Sequence, residues 1–184
     1  MMPDAGRIAA IVGNDSAATQ PLLAGLVEEW RAAGAKIAGV IGEPHGLPNR
    51  NCAAGILRDI ASGRPYPMYL EIAPSHTSCH IDAKGVGRAS AILLDQIAAA
   101  DLVVLNKFGK LETTRKGLAP AFDAALAAGK PLLTTVSDLH RDTWLAYAPG
   151  AIVLPAEKAA LQNWWRAART DTRGPFRERL SANQ

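Results

Sequence analysis

Two hydrophobic rhythms alternate along the chain. Short unbroken apolar runs, Ile8 to Gly13, Ile37 to Ile41, Leu102 to Leu105, Leu132 to Val136 and Ile152 to Leu154, read as strands of a parallel sheet. Longer segments between them repeat apolar residues at helical spacing. Over Pro21 to Ala33, Leu22, Leu23, Leu26, Val27 and Trp30 fall on one stripe, and Gly34 closes the end. Pro21 suits the first turn, where a backbone N–H would have no partner anyway. The stretch "ALAAGKPLLTTVS" repeats the unit, with Ala-Ala-Gly at 127–129 capping a helix before the strand Leu132 to Val136. A helix over 85–99 leads into Leu102, and one over 139–147 leads into Ile152. The alternation predicts an α/β fold with a parallel sheet wound by right-handed crossovers.

Residues 43–84 break the rhythm. "EPHGLPNRNC" is turn-rich, Gly55 to Ile60 and Met68 to Ile72 have strand character, and "ASGRPYP" between them reads as a turn. This predicts a β-hairpin insertion or an extension of the sheet edge. A closing helix over 156–168 puts Ala160, Leu161, Trp164, Trp165 and Ala168 on one stripe, so its tryptophans read as core and not as a base-stacking platform. The expected organisation is one domain over 1–168 and a loose basic tail over 169–184. A chain of 184 residues is of single-domain size, and 48% hydrophobic with 20% charged content is that of an ordinary globular protein.

Charge changes the picture little. The net charge is +3, and all of the excess lies from residue 156 onward, where six basic residues face three acidic ones. Residues 1–155 balance 14 against 14, with no interleaved aromatics, which argues against a nucleic-acid partner. "MMPDAGRIAAIVGND" has no basic leader, and its apolar run is too short for a signal peptide or a membrane span, so the expectation is a cytoplasmic protein without a membrane partner. Two cysteines, Cys52 and Cys79, cannot build a disulfide framework.

In an open α/β sheet, ligands bind beyond the carboxyl ends of the strands, where helix N-termini present N–H groups to anions. Three loops occupy such places: Gly13 to Gln20, Pro74 to Arg88 and Asn106 to Arg115. The first has the position of a phosphate-binding loop. Laying G-x-x-x-x-G-K-[S/T] on "GNDSAATQ" keeps Gly13 but puts Ala18 at the second glycine, Thr19 at the lysine and Gln20 at the hydroxyl. The fixed cation for a β/γ-phosphate and a ligand for Mg²⁺ are thereby lost. Gly13, Asn14, Asp15, Ser16 and Thr19 still offer turn geometry and hydrogen bonds, either to an anion or within a plain capped turn.

The strand Leu102 to Leu105 runs straight into Asn106-Lys107. A guanine-reading N-K-x-D loop needs an aspartate at position 109, which is glycine, and a metal-binding strand end needs an acid where Asn106 stands. Glu112 is the nearest carboxylate and would position or activate a water if "FGKLE" folds back, with Lys107 and Lys110 adding positive charge to the same rim.

"LVVLNKFGKLE", "ILRDIASG", "CHID" and the degenerate first loop together resemble an uncharacterised bacterial family of unknown function, itself similar to the thermophile-type nucleoside-triphosphatases of the P-loop class. The resemblance covers most of residues 7–155 and implies a single-domain, three-layer P-loop-NTPase-like α/β fold. In the related triphosphatases the corresponding strand ends in Asp-Glu, so Asn106 and Lys107 look like replacements of an acidic pair, while Gly109 and Glu112 look retained. Members of the family are often encoded beside molybdenum uptake and molybdenum-enzyme genes, which implies oxyanion or cofactor handling. The resemblance thus points to a nucleotide with Mg²⁺, or a molybdate-type oxyanion, as ligand. A second copy of the chain or a molybdenum-pathway protein stays open as partner.

The middle loop, "SHTSCHIDAKGVGRAS", gathers His76, Cys79, His80 and Asp82, then Lys84 and Arg88. His76, Cys79 and His80, with Cys52, have side chains suited to a soft or borderline metal, although no C-x-x-C is present. Asp82 equally suits a helix N-cap, and Arg88 with the N–H groups around Gly85 to Gly87 suits a tetrahedral anion. Asp138 and His140 form a further pair at the end of Leu132 to Val136, with Asp138 expected to cap the next helix. Three functions stand open at this point. One is a degenerate P-loop-like protein that binds a nucleotide or oxyanion in a binding or sensing role. Another is an unorthodox triphosphatase using Lys107 or Lys110 and Glu112. The third is metal or thiol chemistry at Cys52, His76, Cys79 and His80.

Overall fold

The computed structural model describes residues 6–46, 55–69 and 82–170. Its strands are β1 (Ile8–Val12), β2 (Ile37–Glu43), β3 (Ile56–Asp59), β4 (Pro65–Pro67), β5 (Leu102–Phe108), β6 (Leu132–Val136) and β7 (Ile152–Leu154). Its helices are α1 (Ser16–Ala32), α2 (Ala83–Ile97), α3 (Lys110–Thr113), α4 (Ala119–Ala127), α5 (Arg141–Tyr147) and α6 (Lys158–Thr170), with a 3-10 turn at Asp138–His140. The strands form one sheet in the order β4-β3-β2-β5-β6-β1-β7. From β2 to β7 every pair is parallel, and β3 and β4 add an antiparallel hairpin at the β2 edge.

Alternate residues of a strand face opposite sides of a sheet, and each side here has its own core. Ile8, Ala10, Val103, Leu105 and Leu132 pack against Val86 and Leu93 of α2, Phe122 of α4 and Trp144 of α5. Ala9, Ile11, Leu102, Val104 and Leu133 pack against Leu23, Leu26 and Trp30 of α1 and Trp164 and Trp165 of α6. That double coverage is why Leu102 to Leu105 form a continuous apolar run, each 0% exposed. The result is a single-domain, three-layer α/β fold consistent with the P-loop-NTPase-like class. Gly39 has no alternative at the centre of the sheet. It sits at φ +138°, and a Cβ there would lie 1.8 Å from the carbonyl oxygen of Val104 on β5.

Several boundaries differ from the sequence expectation, with α2 running over Ala83–Ile97 and not 85–99 and β2 reaching Glu43. α1 starts at Ser16 and not at Pro21, because Asp15 caps it by accepting from the Ala18 N–H at 3.0 Å; Pro21 lies inside the helix. β5 runs on to Phe108, so Asn106 and Lys107 belong to a strand, with an irregularity in its pairing to β6 between Leu105 and Phe108. The hairpin returns through Pro65–Pro67 instead of Met68 to Ile72, and residues 70–72 lie outside the described part. These prolines are tolerated because β4 is the outermost strand among the described residues. α6 ends at Thr170, two residues past the expected limit at 168. The expected N-cap at Asp82 is present, accepting from the Lys84 N–H at 2.9 Å.

β1 and β6 are neighbours, yet the chain leaves β1 for α1 on one face and leaves β6 for α5 on the other. Connections that diverge in this way open a crevice at the carboxyl ends of the two strands.

Candidate anion site at the strand ends

A pocket of about 100 Å³ occupies that crevice. Gly13, Asn14 and Asp15 reach it from the end of β1, Thr19 and Gln20 from the first turns of α1, and Asn106 and Lys107 from β5. Thr135, Val136 and Ser137 close it along β6. The structure therefore brings together two of the three loops singled out by sequence, and with them Gly13, Asn14, Asp15, Thr19, Asn106 and Lys107. Ser16 opens α1 beside them.

Asn106 is the structural centre of this end of the sheet. It is only 5% exposed, and its Oδ1 accepts from the Gly42 N–H on β2 at 2.8 Å while its Nδ2 donates to Thr135 Oγ1 on β6 at 2.5 Å. One amide thus cross-links three strands where their ladder ends. A Cβ at Gly42 would lie 2.7 Å from Asn106 Oδ1 and 3.1 Å from Gln20 Nε2, so the absence of a side chain there makes room for the network. Thr134 Oγ1 adds a bond to the Leu105 carbonyl at 2.6 Å. Lys107 comes next and is exposed, held between buried Asn106 and buried Phe108. The Phe108 ring packs edge-on against Phe122 at 5.6 Å and against Trp144 and Tyr147 at 5.1 Å each. That aromatic cluster fixes the backbone from which Lys107 projects.

On the β1 side, the Gly13 N–H donates to the Val136 carbonyl at 3.0 Å, which holds the loop against β6. Asn14 Nδ2 donates to Asp138 Oδ2 at 2.7 Å and ties the loop to the 3-10 turn. Asp138 was expected to cap the following helix. The N-cap residue of the 3-10 turn is Ser137, and the Asp138 carboxylate serves Asn14 instead. Thr19 Oγ1 donates to the Asp15 carbonyl at 2.7 Å.

Three expected site residues lie away from the pocket lining. Glu112 is buried in the turn between β5 and α4, with Oε2 accepting from the Gly109 N–H at 3.0 Å and Oε1 from the Leu118 N–H at 2.8 Å. Burial pushes its carboxyl above the ordinary carboxylate range, and the two backbone donors and the charge of Lys107 offset that only in part. Both oxygens are engaged in closing the turn. Lys110 is exposed at the start of α3. Arg88 is 64% exposed on α2 and faces Asp82 at 3.8 Å. Cys52, His76, Cys79 and His80 lie outside the described residues. Gln20, Thr135 and Ser137 line the pocket without having been singled out as binding groups. Thr135 and Ser137 belong to the polar end of "LLTTVS", which in an apolar buried strand is itself a signal of a lined crevice.

The lining has the size of a phosphate-like anion and presents one cation, Lys107, and one carboxylate, Asp15, among polar side chains. It does not fit a magnesium ion held as in the triphosphatases: the β5 end offers a neutral amide already bonded at both ends, and Gln20 stands where the loop hydroxyl would be. Among the described residues, no group of three or more His, Cys, Asp or Glu side chains is placed to hold a metal. No helix among them is long and apolar enough to cross a membrane.

A segment of the molybdenum import ATP-binding protein ModC 2 of Bradyrhizobium diazoefficiens is 30% identical to this chain over 166 residues, covering 89% of the chain and 18% of that protein. The chain thus spans less than a fifth of the relative it matches. No solved structure matches it. A family model described as "Protein of unknown function (DUF2478)" matches residues 8–164, most of the chain and all seven strands of the sheet, and the chain belongs to that family.

Proposed function

We propose that this protein binds a small oxyanion, either free or as the phosphate of a nucleotide, in the crevice between β1, β6 and β5, and that it serves as a binding or sensing protein without rapid hydrolysis. One observation carries the reading: Gly13, Asn14, Asp15, Thr19 and Lys107, chosen from separate stretches of sequence, line one pocket at the switch point of the sheet. Size bounds the ligand. Pockets that engulf a drug-sized molecule run to about 300–1,000 Å³, and about 100 Å³ holds a tetrahedral anion while leaving the rest of a nucleotide outside. The loss of hydrolysis follows from Asn106, whose amide replaces the acid that would hold a metal, and from Thr19 at the place of the phosphate lysine. The name of the ModC 2 relative supports molybdate as one of the anions to try.

Titration calorimetry of the protein with ATP, GTP, molybdate and inorganic phosphate tests the proposal. Heat of binding is expected with at least one of them and is expected to vanish in Lys107→Ala. An absence of heat with all four overturns it, as does wild-type phosphate release from ATP or GTP that falls when Lys107 is removed.

A further inference from the structure

The donors and acceptors of the pocket are unevenly committed. Asn14 donates to Asp138 at 2.7 Å, Thr19 to the Asp15 carbonyl at 2.7 Å and Asn106 to Thr135 at 2.5 Å, so three polar side chains of the lining have each given a donor to the protein. Charge is close to balanced or negative. Lys107 is the cation of the lining, Asp15 is its carboxylate, and Asp138 stands directly behind Asn14. Asp15 spends Oδ1 on the Ala18 N–H at 3.0 Å, and no donor among the described residues meets its Oδ2.

An anion that only accepts hydrogen bonds meets repulsion at Asp15. A tetrahedral anion that carries an O–H turns the same contact into a charge-assisted hydrogen bond. We propose that Asp15 makes this pocket selective for hydrogen phosphate over sulfate and molybdate, oxyanions of the same shape that carry no proton at neutral pH. The phosphate O–H donates to Asp15, and the remaining oxygens accept from Lys107 across the pocket. This selectivity rests on the anion-site reading above and narrows it to one ligand chemistry.

The test is a calorimetric comparison of inorganic phosphate, sulfate and molybdate at neutral pH, with the full chain and with Asp15→Asn. Asparagine caps a helix as well as aspartate does, so the variant removes the charge and keeps α1, and an unchanged melting temperature verifies that. Wild type is expected to bind phosphate at least about tenfold tighter than either rival. In Asp15→Asn, whose amide donates as well as accepts, the preference is expected to shrink to within about threefold. Equal binding of the three anions by wild type, or a preference that survives in Asp15→Asn, refutes the selectivity and leaves the anion site standing. Failure of all three free anions to bind refutes the selectivity, and failure of ATP and GTP as well overturns the site itself.

Discussion

Glu112 and Asn106 are the two buried polar residues on which this end of the sheet turns, and their chemistry differs in kind. Glu112 closes the turn after β5 by accepting two backbone N–H groups, those of Gly109 and Leu118. Removing it leaves both donors buried without partners, at about 1–3 kcal/mol each. Glu112→Ala is therefore expected to lower unfolding free energy in urea by about 2–6 kcal/mol. Its titration gives a second readout. Because burial raises the folded-state value above the ordinary 4.5, the folded protein holds the proton more tightly than the unfolded chain. The stability associated with that proton is complete below about 4.5 and is lost as pH rises through the raised value. The unfolding free energy of wild type minus that of Glu112→Gln is expected to fall over that window and then flatten, and a flat difference throughout would remove the burial argument. Asn106 has no charge to titrate. Its two bonds, to Gly42 and Thr135, are shared across three strands, so a double-mutant cycle of Asn106→Ala with Thr135→Val is expected to show coupling of about 0.5–3 kcal/mol.

At the scale of elements, the parallel core was readable because its strands are apolar on both faces and its helices carry one stripe each. The run Leu102 to Leu105 could be recognised as strand, whereas its continuation through Asn106 and Lys107 could not. What keeps those polar residues in the strand is a set of partners on β2 and β6, more than 25 residues distant in sequence, with separations of 64 and 29. Pro21 misplaced the start of α1 because a proline at the first helical position is common, while the Asp15 cap six residues earlier depends on one side-chain bond to Ala18. Pro65 and Pro67 disguised β4 as a turn for a similar reason, since only an outermost strand accepts them and sequence does not announce strand order. Glycines were legible as turns but not as contacts. Gly39 pairs with Val104 in the middle of the sheet, and Gly39→Ala is expected to unfold the protein or cost more than about 3 kcal/mol, because its Cβ would lie 1.8 Å from a backbone oxygen. Circular dichroism and soluble yield measure that outcome, and a native-like melt would contradict the close approach of β2 to β5.

For the molecule as a whole, the order of the strands decides which cations reach the ligand. Lys107, Lys110 and Arg88 are equally plausible anion partners along the sequence, since each follows a buried segment or opens a helix. The fold separates them. Lys107 projects from β5 into the crevice beside β1 and β6, whereas Lys110 stands at the start of α3, outside the pocket lining, and Arg88 faces Asp82 on the α2 layer. Lys107 is the cation that lines the pocket, so it is the one expected to contribute most to anion binding. Lys107→Ala is expected to weaken phosphate binding by at least about tenfold, and Lys110→Ala and Arg88→Ala by less than about threefold each in the same calorimetric titration. Loss of binding in Arg88→Ala with Lys107→Ala unaffected would move the site to the N-terminus of α2 and detach it from the switch point. A scaffold that diverges at β1 and β6 supplies the crevice by topology alone, and what fills it is set by the residues: an amide bonded between strands at the end of β5 and a threonine bonded to its own backbone in the first turn of α1.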